Sequence, residues 1–257
     1  MAESLFLEIF PKKKPIIGMV HILSGELRGQ IDQALEDADR LQEGGVDGLL
    51  VENYGCGYFY YNYATNEMKN RLIEIARAVK KNSKIPVGVN VLPNDYWAAF
   101  EITRLSDGVF IQMDHITGDF EDCESVDSKN FSVNRKKYEK IAVFGGVHPK
   151  YYRLANPACS LAVCAKKAAL LADAVVITGQ FTGGSADISD LNVVREAIGD
   201  HPLIVGSGLT PENVGMQLMV ADGAIVGTAF KRNGVRPGGQ IDIDLVSRLM
   251  DGVEKLR

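Results

Sequence analysis

At 257 residues with a formal net charge of −5, the chain is long enough to bury a full core. Hydrophobic residues make up 46% of it and charged residues 24%, which excludes a disordered chain and a disulfide scaffold. The acidic balance argues against nucleic acid as a partner, because a phosphate-tracking surface needs a basic face.

The opening MAESLFLEIFPKKKP has no basic stretch ahead of an apolar core and no small-residue cleavage site, so it does not read as a secretory signal. No apolar run approaches the roughly 18 residues of a membrane span, so no membrane insertion is expected. Cys56, Cys123, Cys159 and Cys164 lack the paired spacing of a zinc site and read as free thiols in a reducing, cytoplasmic setting. Leu5, Phe6, Ile9 and Phe10 recur at helical spacing, which predicts a short amphipathic helix plugging one end of the fold, with a frayed terminus as the alternative.

Four segments then share one pattern, a small or apolar residue, Asp, a small residue and an apolar run. They are VDGLLVEN (46–53), SDGVFIQM (106–113), ADAVVITG (172–179) and ADGAIVGT (221–228). Between them lie PIIGMVH (15–21), PVGVNV (86–91), AVFGGVH (142–148) and PLIVGS (202–207). Continuous apolar runs of this length suit parallel strands buried on both faces. Parallel strands need helical crossovers, and apolar residues at helical spacing predict helices over 29–43 and 66–81, with further helices near 95–104, 157–171, 187–198, 211–220 and 243–255. The polar stretch 114–140 predicts only a short helix near 134–140 and otherwise a mobile active-site loop. Eight interleaved strands with none left over predict an α/β fold, a single (β/α)8 TIM barrel over residues 1–257 with a short N-terminal helix; an open doubly wound sheet is the alternative.

In such a barrel, ligands sit at the carboxyl ends of the strands. The seventh strand ends in Gly206-Ser207-Gly208-Leu209-Thr210-Pro211 and the eighth in Gly227-Thr228-Ala229-Phe230-Lys231. Glycine turns let backbone N–H groups approach an oxyanion. Ser207, Gly208, Gly227 and Thr228 are therefore candidate phosphate-binding residues, with Lys231 as a counter-charge. Thr182 and Gly183 join them from the hydroxyl- and glycine-rich loop after the sixth strand. The bland reading of these turns is helix capping, by Thr210 and Pro211 after strand seven and by Asp187 after strand six.

Polar residues end the other strands: His21 on the first, Glu52 and Asn53 on the second, Asn90 near the end of the third, Asp114 and His115 on the fourth, His148 on the fifth. Burying such groups is costly without partners, so their gathering at one rim points to a site. Glu52 or Asp114 is the expected base and His148 the expected acid, with His21 and Asn90 beside them. The same oxygen and imidazole donors also leave a divalent metal open as a cofactor. Lys150 reads either as a partner for a substrate anion, a Schiff-base lysine or a solvated side chain. Residues 54–63, with six aromatics in ten, read as a lid or as a subunit contact, which leaves a homo-oligomer open.

IGMVH, GGVDGLLVENYG, PVGVNVLPND, ITG followed by TGG and Asp187, GSGLTPENV and ADGAIVGTAFK together resemble the BtpA/SgcQ family, from about residue 15 to 231. The last two motifs are also similar to phosphate-binding segments of the ribulose-phosphate-binding barrels. The resemblance implies a TIM barrel but no settled reaction; the family is named for a photosystem I assembly role in some members. Ile111-Gln112-Met113-Asp114 departs from the family's Arg-Val-Asn-Val-like fourth strand. Met19 and His21 stand where a phosphoribosylanthranilate isomerase-like member would carry a cysteine. The expected function is acid-base chemistry of the isomerase, epimerase or lyase type on a small phosphorylated ligand, a sugar phosphate or nucleotide. A metal-dependent hydrolase or nucleosidase and a non-catalytic assembly factor are the alternatives.

Overall fold

The computed structural model describes residues 4–56, 64–121, 123–156, 158–179, 181, 183–232 and 238–257. Strands β1 (Ile16–Leu23), β2 (Gly48–Gly55), β3 (Val87–Asn90), β4 (Phe110–Met113), β5 (Ala142–Val147), β6 (Ala174–Ile177), β7 (Leu203–Val205) and β8 (Gly223–Val226) pair in chain order into a closed barrel. Every pairing is parallel, and Ile16–Gly18 of β1 against Ala224–Val226 of β8 completes the ring. That last pairing rules out the open sheet.

Helix α1 (Leu5–Ile9) precedes the barrel. Each strand is then followed by a helix: α2 (Leu27–Glu43), α3 (Asn66–Asn82), α4 (Tyr96–Leu105), α5 (Ser128–Arg135), α6 (Leu161–Ala168), α7 (Ile188–Ile198), α8 (Val214–Val220) and α9 (Ile243–Glu254).

Strand side chains alternate between two cores, as a pleat of period two requires. Val20, Val51, Val89, Ile111, Val143 and Val175 face outward against the helices. Ile17, Met19, Leu50, Phe110, Phe144, Val176, Ile204 and Ile225 face inward and share one cluster with Phe6 and Phe10. Helix α1 is thus a plug. Phe6 packs edge-on to Phe144 at 5.5 Å, Phe10 edge-on to Phe110 at 5.8 Å, and Phe110 stacks on Phe144 at 4.7 Å. Ser4 caps the plug by accepting from the Phe6 N–H and ties it to the wall by donating to the Asp173 carbonyl. With one mouth filled by aromatic rings, the open rim is the one at the strand carboxyl ends.

The repeated Asp has a structural task. Asp47, Asp173 and Asp222 each accept, through Oδ2, an N–H at the start of the preceding strand, from Ile16 at 2.8 Å, Val143 at 2.7 Å and Leu203 at 2.9 Å. Each also pairs with an arginine, Arg257, Arg135 and Arg195 respectively. The fourth, Asp107, is exposed at a φ of 58° and makes no such bond among the described residues. Asp47→Ala leaves the buried Ile16 N–H without its acceptor and removes one of the two carboxylates paired with Arg257, which keeps Glu254 and the Lys13 and Lys14 carbonyls, so it is expected to cost about 1–3 kcal/mol in urea unfolding. Asp107→Asn, at a backbone angle that Asn tolerates, is expected to change stability by less than about 0.5 kcal/mol.

Three expectations are corrected. The fourth crossover holds α5 and a 3-10 turn at Lys136–Tyr138, starting six residues before the predicted helix, because Asp127 caps Lys129 and Asn130; with Phe131 its one buried residue, α5 carries almost no apolar pattern. Helices α6 and α8 begin late, since Ser160 caps the first and Thr210–Asn213 form a turn ahead of the second. Finally, Cys159 and Cys164 are joined as a disulfide across the start of α6, while Cys56 and Cys123 are not disulfide-bonded. The Ser160 turn brings their Cα atoms to 6.1 Å, a proximity that a five-residue spacing alone does not announce.

Among the described residues no helix is long and apolar enough to cross a membrane.

Candidate active site

At the open rim, the inward positions of β1 to β4 turn polar together. His21 lies in register with Glu52, Glu52 with Asn90, and Asn90 with Gln112, so one layer of the barrel carries four polar side chains in lateral contact order. Asp114 follows two residues beyond Gln112. Its backbone crosses Gly146 of β5, where an added Cβ would stand 1.8 Å from the Asp114 carbonyl oxygen, so only glycine lets the chain fold there. Just past β7 and β8, two residues beyond inward-facing Ile204 and Ile225, stand Gly206 and Gly227, which contribute no side chain.

The result is a cavity of about 160 Å³, more than ten times the ~10–15 Å³ that one water needs. His21, Glu52, Tyr54, Gln112, Asp114, Lys150 and Tyr152 line it from β1 to the loop after β5; Thr178, Gly183, Gly206, Ser207, Gly208, Gly227 and Thr228 line it from the later strands.

The two carboxylates share one amide. Asn90 Nδ2 donates to Glu52 Oε2 at 2.7 Å and reaches Asp114 Oδ1 at 3.5 Å, and Tyr152 donates its hydroxyl to Asp114 Oδ2 at 3.0 Å. Burial, then the neighbouring Asp114 charge, pushes the Glu52 carboxyl up to about 7, against the Asn90 hydrogen bond, which favours the anion. Asp114 is also raised, chiefly by burial. A carboxylic acid held near neutrality can both take and return a proton at physiological pH.

His21 is buried beside Glu52, its Nε2 3.6 Å from Glu52 Oε1 and its Nδ1 3.0 Å from Lys231 Nζ. Burial and the Lys231 and Lys150 ammonium charges lower its pKa to about 3, so the ring is neutral. Lys231 is itself only 3% exposed; the counter-charge expected for a bound phosphate is instead buried against His21. Burial lowers its pKa while Asp37 and Glu52 support its charge.

On the later strands, the Ser207 hydroxyl accepts from the Gly179 N–H at 2.9 Å and donates to the Gly184 carbonyl at 3.1 Å. It staples the loops after β6 and β7. Ser185 Oγ and Asn213 Nδ2 add to the staple by donating to the Gly208 carbonyl. Among the described residues the N–H groups of Gly208, Thr228 and Ala229 donate to no other group.

Two of the predicted histidines lie elsewhere. His148, at a φ of 43°, places Nε2 3.0 Å from the Cys159 carbonyl and does not line the cavity. His115 is fully buried, 3.5 Å from Cys123 Sγ and edge-on to Phe120 and Tyr152. Asn53 hydrogen-bonds both the N–H and the carbonyl of Leu92, pinning the turn after β3. Asp187 caps α7 through Ser189. Thr182 lies outside the described residues, as do residues 57–63 of the aromatic segment; Tyr54 lines the cavity, its ring 5.3 Å from that of His21. Sequence reasoning missed Tyr152, which has no motif around it, and gave Gln112 no role. The inward parity of β4, Phe110 then Gln112 then Asp114, would have found the latter.

Among the described residues no group of three or more His, Cys, Asp or Glu side chains is placed to hold a metal ion, and the imidazole nearest the carboxylates has a lysine ammonium on its other nitrogen.

A protein of Methanocaldococcus jannaschii, MJ1115, is 33% identical over 259 residues, spanning 96% of this chain and 97% of its own. The family model described as "BtpA family" matches residues 12–255. The chain belongs to the BtpA family. A second member, the photosystem I biogenesis protein BtpA of Synechocystis, is 29% identical over 88% of this chain and 84% of its own. Among solved structures, the N-(5'-phosphoribosyl)anthranilate isomerase of Pyrococcus furiosus superposes with a TM-score of 0.60 over 94% of this chain and 99% of that one, at 18% identity. This chain and that isomerase share a fold.

Proposed function

We propose that the chain is an enzyme that holds a small phosphorylated molecule, a sugar phosphate or a nucleotide, at the glycine turns after β7 and β8 and moves a proton on it with Glu52. The observation that carries this reading is one cavity containing both a buried carboxyl poised at about 7 and glycine turns with undonated backbone N–H groups. The N–H groups of Gly208, Thr228 and Ala229, with the hydroxyl of Thr228, are the anion donors, and Gly183 extends the cradle.

With the phosphate there, the rest of the ligand lies across the barrel mouth toward β1 to β4. Glu52 removes a proton from the carbon beside a carbonyl, and the electron pair moves onto the carbonyl oxygen. Returning that proton to the former carbonyl carbon, while the hydroxyl proton on the first carbon passes to the former carbonyl oxygen, completes an isomerisation; a proton delivered to the first carbon from the opposite face by water gives an epimer instead, with the Glu52 proton released to solvent. Asn90 holds the Glu52 carboxylate in place, and Asp114, held by Tyr152, keeps the Glu52 proton affinity high enough for the return step.

Thermal unfolding with inorganic phosphate, sugar phosphates and nucleotides tests the cradle, because a ligand bound only to the folded state at 100 times its Kd adds about 2.7 kcal/mol. A rise in Tm restricted to phosphorylated compounds and reduced by Thr228→Val is the expected result. No rise with any of them at millimolar concentration would overturn it, and would favour a partner-binding barrel of the kind the Synechocystis relative's name implies.

A further inference from the structure

We infer that Lys231 is a positioning residue that locks His21 as the neutral Nε2–H tautomer, so that the imidazole, not His148, is the hydrogen-bond donor facing the reacting carbonyl. The inference rests on the proposed proton transfer for its chemical use, but the tautomer itself follows from the contacts of one ring.

Both nitrogens of His21 have a defined neighbour. Lys231 Nζ, 3.0 Å from Nδ1, is a donor with no acceptor capacity while it is charged. Two carboxylates act on that charge, Asp37 from α2 and Glu52 from β2, and both favour the ammonium form. Nδ1 therefore accepts, and in a neutral ring the proton must sit on Nε2. Nε2 in turn is 3.6 Å from Glu52 Oε1, an oxygen acceptor. The opposite tautomer would need a neutral lysine accepting from Nδ1–H, and would turn the Nε2 lone pair toward the carboxylate. Lys231 thus selects this form throughout, and Glu52 adds to it where its carboxyl is ionised. Among the described residues, Tyr54 from β2 and Lys150 from the loop after β5 also face the ring, and the Lys150 charge opposes its protonation.

A neutral imidazole that donates from Nε2 beside a carboxylate base is suited to polarising a substrate carbonyl while Glu52 takes the adjacent proton. As charge develops on the carbonyl oxygen, the Nε2–H bond to it strengthens; His21 need not become an imidazolium at any step. Lys231 stands three residues after Thr228, at the end of the same short turn Thr228–Phe230, and bridges to Ile241 on its far side. The turn assigned to the phosphate therefore also carries the residue that orients the acid. His148 has no such access, its Nε2 being bonded to the Cys159 carbonyl.

The test is nitrogen-15 NMR of the histidine side chains in the full-length protein, with His21→Gln used to assign the signal. Wild type is expected to show His21 with a protonated Nε2 and an acceptor Nδ1, unchanged between pH 5 and pH 9. Lys231→Met is expected to convert this single form to a mixture of tautomers, and Lys231→Arg to restore the single form. A protonated Nδ1 in wild type would overturn the inference, as would an unchanged tautomer in Lys231→Met. The wild-type spectrum decides the tautomer even if that variant fails to fold. Because no substrate is needed, failure here is separate from failure of the phosphate reading, which the thermal shifts with phosphorylated compounds report.

Discussion

Glu52→Gln is expected to abolish turnover while making the folded protein more stable at and above neutral pH. The stability half follows from the sign of the pKa displacement. Folding raises the Glu52 carboxyl from an ordinary 4.5 to about 7, so the native state binds the proton more tightly than the unfolded chain. Stability from this group is fully present below pH 4.5 and is lost as pH rises through 7. At about 1.36 kcal/mol per tenfold change, the loss approaches roughly 3 kcal/mol at pH 8. Glutamine cannot ionise, so the variant keeps that stability, and at roughly 2–4 °C per kcal/mol the rise in Tm is readily measured. At pH 4 the two proteins should differ little.

For catalysis the same change removes the base, and a loss of roughly 10²–10⁴-fold in kcat/KM is expected. In wild type, kcat/KM should climb as pH rises through about 7, because the free enzyme needs the carboxylate. A variant that is more stable yet inactive marks a residue held in an unfavourable state for use. Unchanged stability at pH 8 together with unchanged turnover would remove Glu52 from the mechanism.

Gly208→Ala is expected to damage both the fold and the phosphate cradle. Gly208 has a φ of 70°, a left-handed conformation that costs a residue with a Cβ about 1–2 kcal/mol. The added Cβ would also lie 2.2 Å from the backbone carbon and oxygen of Gly184, and relieving such an overlap in packed backbone adds about 1–3 kcal/mol. The loops after β6 and β7 must part, although Ser207, Ser185 and Asn213 hold them together by hydrogen bonds. The combined loss of about 2–5 kcal/mol should appear in urea unfolding, and the Tm rise given by phosphorylated compounds should vanish. Ser185→Ala removes two of these hydrogen bonds without any overlap and should keep most of that rise. A Gly208→Ala protein with wild-type stability and an intact ligand shift would show that this turn is not the cradle.

The barrel was legible in the sequence because its signals are local. Eight short apolar runs, four of them opened by the same Asp pattern, mark strands wherever they pair, and in the structure the strands fall within those runs to a few residues. In three of the four repeats the Asp accepts an N–H at the start of the strand beside it, and Asp107 is the exception. The apolar spacing of Phe6 and Phe10 likewise marks a plug before any contact is known. Helix α5 was misplaced for the converse reason: it buries a single residue, so its periodicity carries no signal.

The candidate site was legible only as a set of strand ends. His21, His115 and His148 look alike in the sequence, each closing an apolar run, yet only His21 enters the cavity. The difference lies in pleat parity and in the turn that follows. His21 continues the inward series Ile17 and Met19; His148 steps out of its strand with a positive φ; His115 follows Asp114 and faces the other way, into the packing around Phe120. Residue types and their approach to the rim are set by local spacing, which the chain itself carries. That Lys231 meets His21, 210 residues away, was decided by closure of β8 on β1, and that Asn90 bridges two carboxylates was decided by the lateral register of β2, β3 and β4. Those contacts depend on which strands become neighbours and at what stagger, a property of the closed sheet as a whole.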